Sequence, residues 1–232
     1  MQLKEMLSEL RETRLDDNVK KYLWSDNECV GFFNDAVRQV CLRQRCLTES
    51  QDPDLCTVPI AATQQLVKLH KAILAVRSVR YVDPTATSTC EPLTGITARA
   101  LWKNYPRWDV EDPGRPKWWI PDYQERMLAI ARAPENAGYL KLLVWRVPLK
   151  SELLSLRCPE GEPVISEHWH LDLLDWAEHR AFSKPDSETY NESRAAAAEA
   201  KFTAKIGKLP SATSIRLWGV SKLRAPGRAE FL

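Results

Sequence analysis

Hydrophobic periodicity changes twice along this chain of 232 residues, and that double switch limits the folds open to it. Leu3, Met6, Leu7 and Leu10 recur at i, i+3, i+4 and i+7, one face of a helix, which runs to about Leu15 and breaks at Asp16-Asp17. Ser25 and Glu28 have the spacing of a capping box, hydroxyl and carboxylate each serving the other's orphan amide. The helix they open carries Cys29, Phe33, Ala36, Val37 and Val40 on one side and ends near Thr48, before the breaker around Pro53. Residues 55–60, 65–70, 73–82, 126–131 and 139–147 then form short runs rich in Val, Ile, Leu and aromatics, which predict strands. A short helix near 97–104 and a proline-bearing loop over 105–123 lie between them, and Pro134 to Gly138 has the composition of a hairpin turn joining the last two strands. The helical period returns after Pro163. Ser166 is placed to cap a helix reaching about Ser183, Pro185 stops it, and Asp186 or Ser187 opens another that runs through Phe202 and Ile206 to Gly207, a natural left-handed terminator. The pattern predicts an α+β protein: a helical core of about four main helices (1–53 and 149–207) interrupted by an inserted antiparallel β domain (54–148), with an extended arm over 208–232.

The arm lacks helical periodicity and has its own charge. Lys208, Arg216, Lys222, Arg224 and Arg228 face one acid, Glu230, so it carries +4 of a chain total of +2 and leaves −2 on the first 207 residues. That balance argues against general nucleic-acid binding by the folded body, which needs a larger basic footprint. Ile215, Leu217, Trp218, Val220, Leu223, Phe231 and Leu232 are interleaved with the charges. Segments built only for solubility are poor in such residues, so the arm is expected to lie on a surface, a partner protein being the simplest. No apolar run reaches the ~18 residues of a membrane span, and the amphipathic N-terminus does not have the pattern of a secretory signal, so synthesis inside the cell is expected. Six cysteines form no C-x-x-C pair and no zinc-spaced cluster, which predicts reduced thiols filling apolar space.

Among constellations that could carry chemistry, the sharpest is His168, Asp172, Asp175 and His179. On a continuous helix these fall within about 60° of one another, and i, i+4 spacing suits two ligands of one metal. The opposite arc holds Trp169, Leu173, Trp176 and Ala177, so the stripe is expected to point away from the core, as a solvated or subunit-facing surface. No hydrolase motif, nucleophile elbow or phosphate loop accompanies it; no catalytic residue, metal or cofactor is assigned, and no enzyme activity is expected. Nine tryptophans are many for this length. Trp108, Trp118, Trp119 and Tyr123, beside Arg115 and Lys117, could stack bases, but large aromatics more often fill cores and protein interfaces, and packing or a subunit or tail interface is the preferred reading.

The chain resembles the head-to-tail adaptor (connector) proteins of tailed bacteriophages, especially short-tailed ones. The resemblance lies in Leu3 to Asp17, Tyr22 to Glu28, Phe33 to Arg38, Asn104 to Trp108, Trp145 to Pro148 and His170 to Asp186; it spans nearly the whole chain, in packing patterns rather than a catalytic signature. It implies a structural virion protein at the head-tail junction, assembled in the host cytoplasm, that forms a ring of twelve copies beneath the portal protein. Such a protein presents a surface to tail nozzle or tail tube proteins and lines a channel through which genomic DNA passes without sequence recognition. Within it, Ile215, Arg216, Trp218, Lys222, Arg224, Arg228 and Phe231 would form the portal-docking arm. Readings from other classes are a metal-dependent hydrolase using the His168/Asp172/Asp175/His179 stripe and a nucleic-acid-binding module using the 105–123 loop.

Overall fold

Ser25 opens a helix of 19 residues, the longest among the described residues, and the capping box is formed on both sides: the Ser25 hydroxyl accepts from the Glu28 amide and the Glu28 carboxylate accepts from the Ser25 amide. The computed structural model describes residues 1–17, 22–85, 90–185, 188–216 and 218. In chain order its elements are α1 (Leu3–Glu9), continued by a π-helical stretch (Leu10–Leu15), α2 (Asp26–Gln44), β1 (Thr48–Glu49), α3 (Pro53–Cys56), β2 (Thr57–Ile60), β3 (Leu66–Lys68), β4 (Ile73–Val82) and β5 (Cys90–Gly95). There follow α4 (Ala98–Asn104), β6 (Trp118–Gln124), β7 (Met127–Ala131), β8 (Gly138–Arg146), two 3-10 turns (Lys150–Glu152 and Glu167–Trp169), α5 (Asp172–Phe182), α6 (Glu192–Ile206) and α7 (Ala212–Arg216). The fold is α+β, and it divides into a helical unit, Met1–Leu47 with Val147–Pro210, and a β unit, Thr48–Arg146 with the described residues from Ser211 onward.

In the helical unit, α1, α2, α5 and α6 close one core in which Leu3, Met6, Leu10, Phe33, Val40, Leu173 and Phe202 are buried. The break after Leu15 is held by a buried guanidinium. Arg11 donates to Asp17 at 2.8 Å, to the Trp24 carbonyl at 2.8 Å and to Asp26 at 2.7 Å, and stacks on the Tyr22 ring at 3.7 Å. Buried charge is tolerated only when paired and hydrogen-bonded, and Arg11 is both. Trp24 then donates to the Ala181 carbonyl and meets Phe182 edge-on, which ties the start of α2 to the end of α5. α2 stops at Gln44, before the expected Thr48, because Arg45 takes the left-handed conformation (φ 54°) and sends its amide to the Cys41 carbonyl, closing the helix without a glycine. Ser166 stands at the N-terminal end of a 3-10 turn, without a side-chain capping bond, rather than of a long helix, and α5 begins only at Asp172. The cap of α6 is Asn191, which accepts from the Arg194 amide; Asp186 and Ser187 lie outside the described residues. Gly207 does end α6, with φ 90° but an extended ψ in place of the compact left-handed turn.

The β unit is an eight-stranded sheet in the order β1-β8-β4-β5-β6-β7-β3, with β2 also pairing β8. Every pair is antiparallel except β5–β6, which is parallel. The predicted strand over 73–82 coincides with β4, and β7 and β8 fall within a residue of expectation. The hairpin expected between those last two strands does not form. β7 pairs with β3 and β6, whereas β8 runs beside β4, with Val82 opposite Tyr139 and Ile73 opposite Arg146. The turn chemistry around Pro134 bends the chain, but Arg132 in the left-handed region and a bridge from Gly114 to Pro134 carry it away from β7. β6 was expected to be loop; its two faces are both buried, through Trp118 and Trp119, so it lacks the alternation that marks a half-buried strand.

Candidate assembly surfaces

Three regions were candidates for function, and the structure places them differently. In the His/Asp stripe, Asp175 is fully buried and does not point away from the core. Its Oδ2 accepts from Lys205 Nζ at 2.9 Å, and Arg14 approaches Oδ1 at 3.0 Å as an ionic contact without hydrogen-bond alignment. Lys205 also reaches Asp172 at 3.0 Å, while Glu178 meets Arg194 at 3.4 Å and Arg14 at 4.0 Å. The two aspartates raise the Lys205 ammonium above its ordinary value, the hydrogen bond to Asp175 contributing most. His179 sends Nδ1 toward the Ala195 carbonyl at 3.0 Å and lies against Trp176 at 4.8 Å. His168 stands apart, exposed on the 3-10 turn beside Trp169. The expectation failed because it assumed one continuous α-helix from 168, whereas the 3-10 turn and the residues after it change the winding before α5 begins. Lys205 and Arg14 occupy the space between the carboxylates that a metal would need, and among the described residues no group of three or more His, Cys, Asp or Glu is arranged to hold one. Asp175 and Asp172 of the stripe form an ionic clamp joining the π-helical stretch, α5 and α6.

The aromatic region is also internal. Trp108 is buried between Trp102 and Tyr123, both edge-on at 5.6 Å, and Trp118 packs with Ile96, Leu101, Ile120 and Ala129 beneath α4. Trp119, on the opposite face of β6, is 1% exposed. None of the three offers a face on which a base could stack, so neither the nucleic-acid reading nor a subunit contact through these rings is open in this conformation. Trp102, which the expectation passed over, is the exposed member of the group.

Residues 211–216 and 218, the described start of the C-terminal segment, are anchored on the β unit. Contrary to the reading of an unbroken extended arm, the segment begins with a helical turn: Ser211 caps α7 through its hydroxyl and carbonyl, accepting from Ser214 and Ile215. α7 packs on β4, and Ile215 lines a groove of about 510 Å³ whose walls include Ile73, Val76, Tyr123 and Met127. One turn on, Trp218 meets Trp145 of β8 edge-to-face, with centroids 6.2 Å apart, and Arg77 approaches the other ring system at 5.8 Å. Apolar spacing of three residues, 215 to 218, was the available signal for this turn. Arg216 closes α7, its side chain lying outside the described residues, as do Lys222, Arg224, Arg228 and Phe231.

A family model described as SU10 adaptor protein matches residues 1–227. The chain belongs to the SU10 adaptor protein family. It is therefore a structural adaptor of a bacteriophage virion, a component that contacts other head and tail parts. No curated protein matches the chain. Among the described residues no helix is long and apolar enough to cross a membrane. The adaptor's exposed apolar side chains, Leu23, Val110, Tyr139, Leu153, Leu171 and Tyr190 among them, are scattered singly over both units.

Proposed function

We propose that this adaptor forms a closed ring beneath the portal protein, joins the capsid vertex to the tail nozzle or tube, and encircles the channel used by the genome. The observation that carries the reading is the division of labour along the C-terminal segment. Ile215 and Trp218 are engaged with the adaptor's own β unit, which fixes the root of the segment. Beyond Trp218 the sequence supplies Lys222, Arg224 and Arg228 with Val220, Leu223 and Phe231, and extended chain of that length reaches about 45 Å. A rooted strap of alternating cations and apolar anchors suits an acidic, partly apolar docking track on another ring, where arginine adds charge-assisted contacts to carboxylates and each buried apolar side chain contributes about 1.5–3 kcal/mol. A ring seated on the portal inherits its symmetry, and twelve copies follow if the portal has twelve.

The test is pull-down on purified portal rings with three proteins: intact, truncated after Trp218, and truncated after Gly207. The reading expects both truncated forms to stay folded and to lose portal binding sharply, with Trp218→Ala weakening binding more than Arg228→Ala because it frees the root. Full occupancy by the form truncated after Trp218 would overturn the docking role of the strap.

A further inference from the structure

The end of α2 carries two cysteines whose sulfurs are 3.6 Å apart. Their proximity has a local cause. Arg45 in the left-handed conformation sends its amide to the Cys41 carbonyl at 3.0 Å, and this helix ending brings the residue after the left-handed one against the residue four before it. In most helices that contact is apolar packing. Here both partners are thiols, and they are unequal. Cys41 is fully buried, whereas Cys46 is partly exposed. The Cys46 thiol is held below its usual range, first by the hydrogen bond with Cys41 and against the opposing effect of burial. Cys29 and Cys56 are the reverse, buried and pushed up to about 11.

We propose that Cys41 and Cys46 are a redox-convertible dithiol, a modification site that a peroxide closes to an intrachain disulfide. The Cys46 thiolate attacks one peroxide oxygen, the O–O bond breaks, and the departing hydroxide takes up a proton to leave water and a sulfenic acid on Cys46. The Cys41 thiol then gives up its proton and attacks the Cys46 sulfur; the S–O bond breaks and the second oxygen leaves as water. Two thiols and one peroxide thus give one disulfide and two waters. The sulfurs must close to about 2.05 Å, a movement the Cys46 side chain can make because it lies beyond the helix. Only Cys46 has to meet the oxidant, since Cys41 is reached from within. A virion component leaves a reducing cytoplasm for an oxidising exterior, so the two states correspond to the two environments.

The bridge would act at a junction. On the same turn of α2, Arg43 donates to Thr203 and to the Gly207 carbonyl, and Gln44 donates to the Ile206 carbonyl. Locking this turn therefore locks the end of α6, from which the C-terminal segment departs. The experiment treats the intact protein, natively folded, with hydrogen peroxide at one equivalent per chain, then alkylates it in denaturant and maps the peptides. The expected result is loss of two of the six alkylatable thiols, a cross-linked peptide joining Cys41 to Cys46, and full recovery with dithiothreitol. In Cys41→Ser, Cys46 should stop at the sulfenic acid and be captured by dimedone. Oxidation that starts at the exposed Cys158, or that carries wild-type Cys46 to sulfinic acid with Cys41 still a free thiol, would overturn the proposal.

Discussion

Replacing Asp175 with asparagine removes one charge from the centre of the ionic clamp and keeps the side chain's shape. The carboxylate is 1% exposed and faces two cations, Lys205 at 2.9 Å and Arg14 at 3.0 Å. Removing one member of a fully buried ion pair costs about 3–5 kcal/mol, because the other is left charged and dry; an exposed pair is worth about 0.2–1 kcal/mol. The clamp falls between these limits. Arg14 and Lys205 are 27% and 49% exposed, and each keeps a second acid, Glu178 at 4.0 Å and Asp172 at 3.0 Å. Asp175→Asn should therefore destabilise the helical unit by about 2 kcal/mol, a fall in Tm of about 4–8 °C for a chain of this size. His168→Gln should change little, since that ring is exposed on the 3-10 turn, and His179→Gln should cost about 1 kcal/mol through its hydrogen bond to the Ala195 carbonyl. The assay is urea unfolding of the three variants, followed by far-ultraviolet circular dichroism and by tryptophan fluorescence, with coincidence of the probes checking for separate unfolding of the two units. Equal costs for Asp175→Asn and His168→Gln, or an Asp175→Asn protein within about 0.5 kcal/mol of the parent, would refute the inward clamp and restore the stripe as a surface.

Three further variants probe local geometry. Lys184 and the two Ser25 contacts hold the Glu28 carboxyl down to about 2, so its stabilisation is present above the usual carboxylate range and is lost as pH falls toward 2. The partly exposed pair limits it to about 0.5–1 kcal/mol, and Glu28→Gln, which keeps the capping box, should flatten that part of the acid-unfolding curve. A Cβ on Gly138 would stand 2.4 Å from the Val82 carbonyl oxygen, so Gly138→Ala should cost the β unit about 1–3 kcal/mol. Gly31→Ala, with nothing within 4 Å on α2, should be neutral or stabilise by up to about 1 kcal/mol in the same urea titration.

Local chemistry was legible where a signal acts over a few residues. The Ser25–Glu28 box, the alternating apolar face of β8, the full length of β4 and the end of α6 at Gly207 could all be read because cap, pleat and terminator each depend on near neighbours. Strand partners could not. Nothing in the five residues from Pro134 to Gly138 states that β8 will pair with β4, more than fifty positions earlier, in place of β7. The clamp escaped for a related reason: an angular plot of residues 168–179 contains neither Arg14 nor Lys205, and only the packing of α5 on α6 and the π-helical stretch brings those cations to Asp175. For tryptophans 108, 118 and 119 packing and a subunit interface stayed open together, because composition does not distinguish the core of an inserted sheet from a surface between subunits; burial in the chain's own core favours packing. The root of the C-terminal strap was half-visible, since Ile215 and Trp218 were marked as anchors but their partner, Trp145 on β8, was not.

In the proposed function the C-terminal strap is rooted on the chain's own β unit and docks on the portal. Cryo-electron microscopy of the portal vertex in intact virions tests it most directly. The account predicts a closed ring of this chain against the portal, with Trp218 on Trp145 in each subunit and the residues beyond it crossing the portal surface, Arg224 and Arg228 beside acidic side chains. A neck without this chain, or a ring held to the portal by the helical unit alone with the strap nowhere in contact, would contradict it.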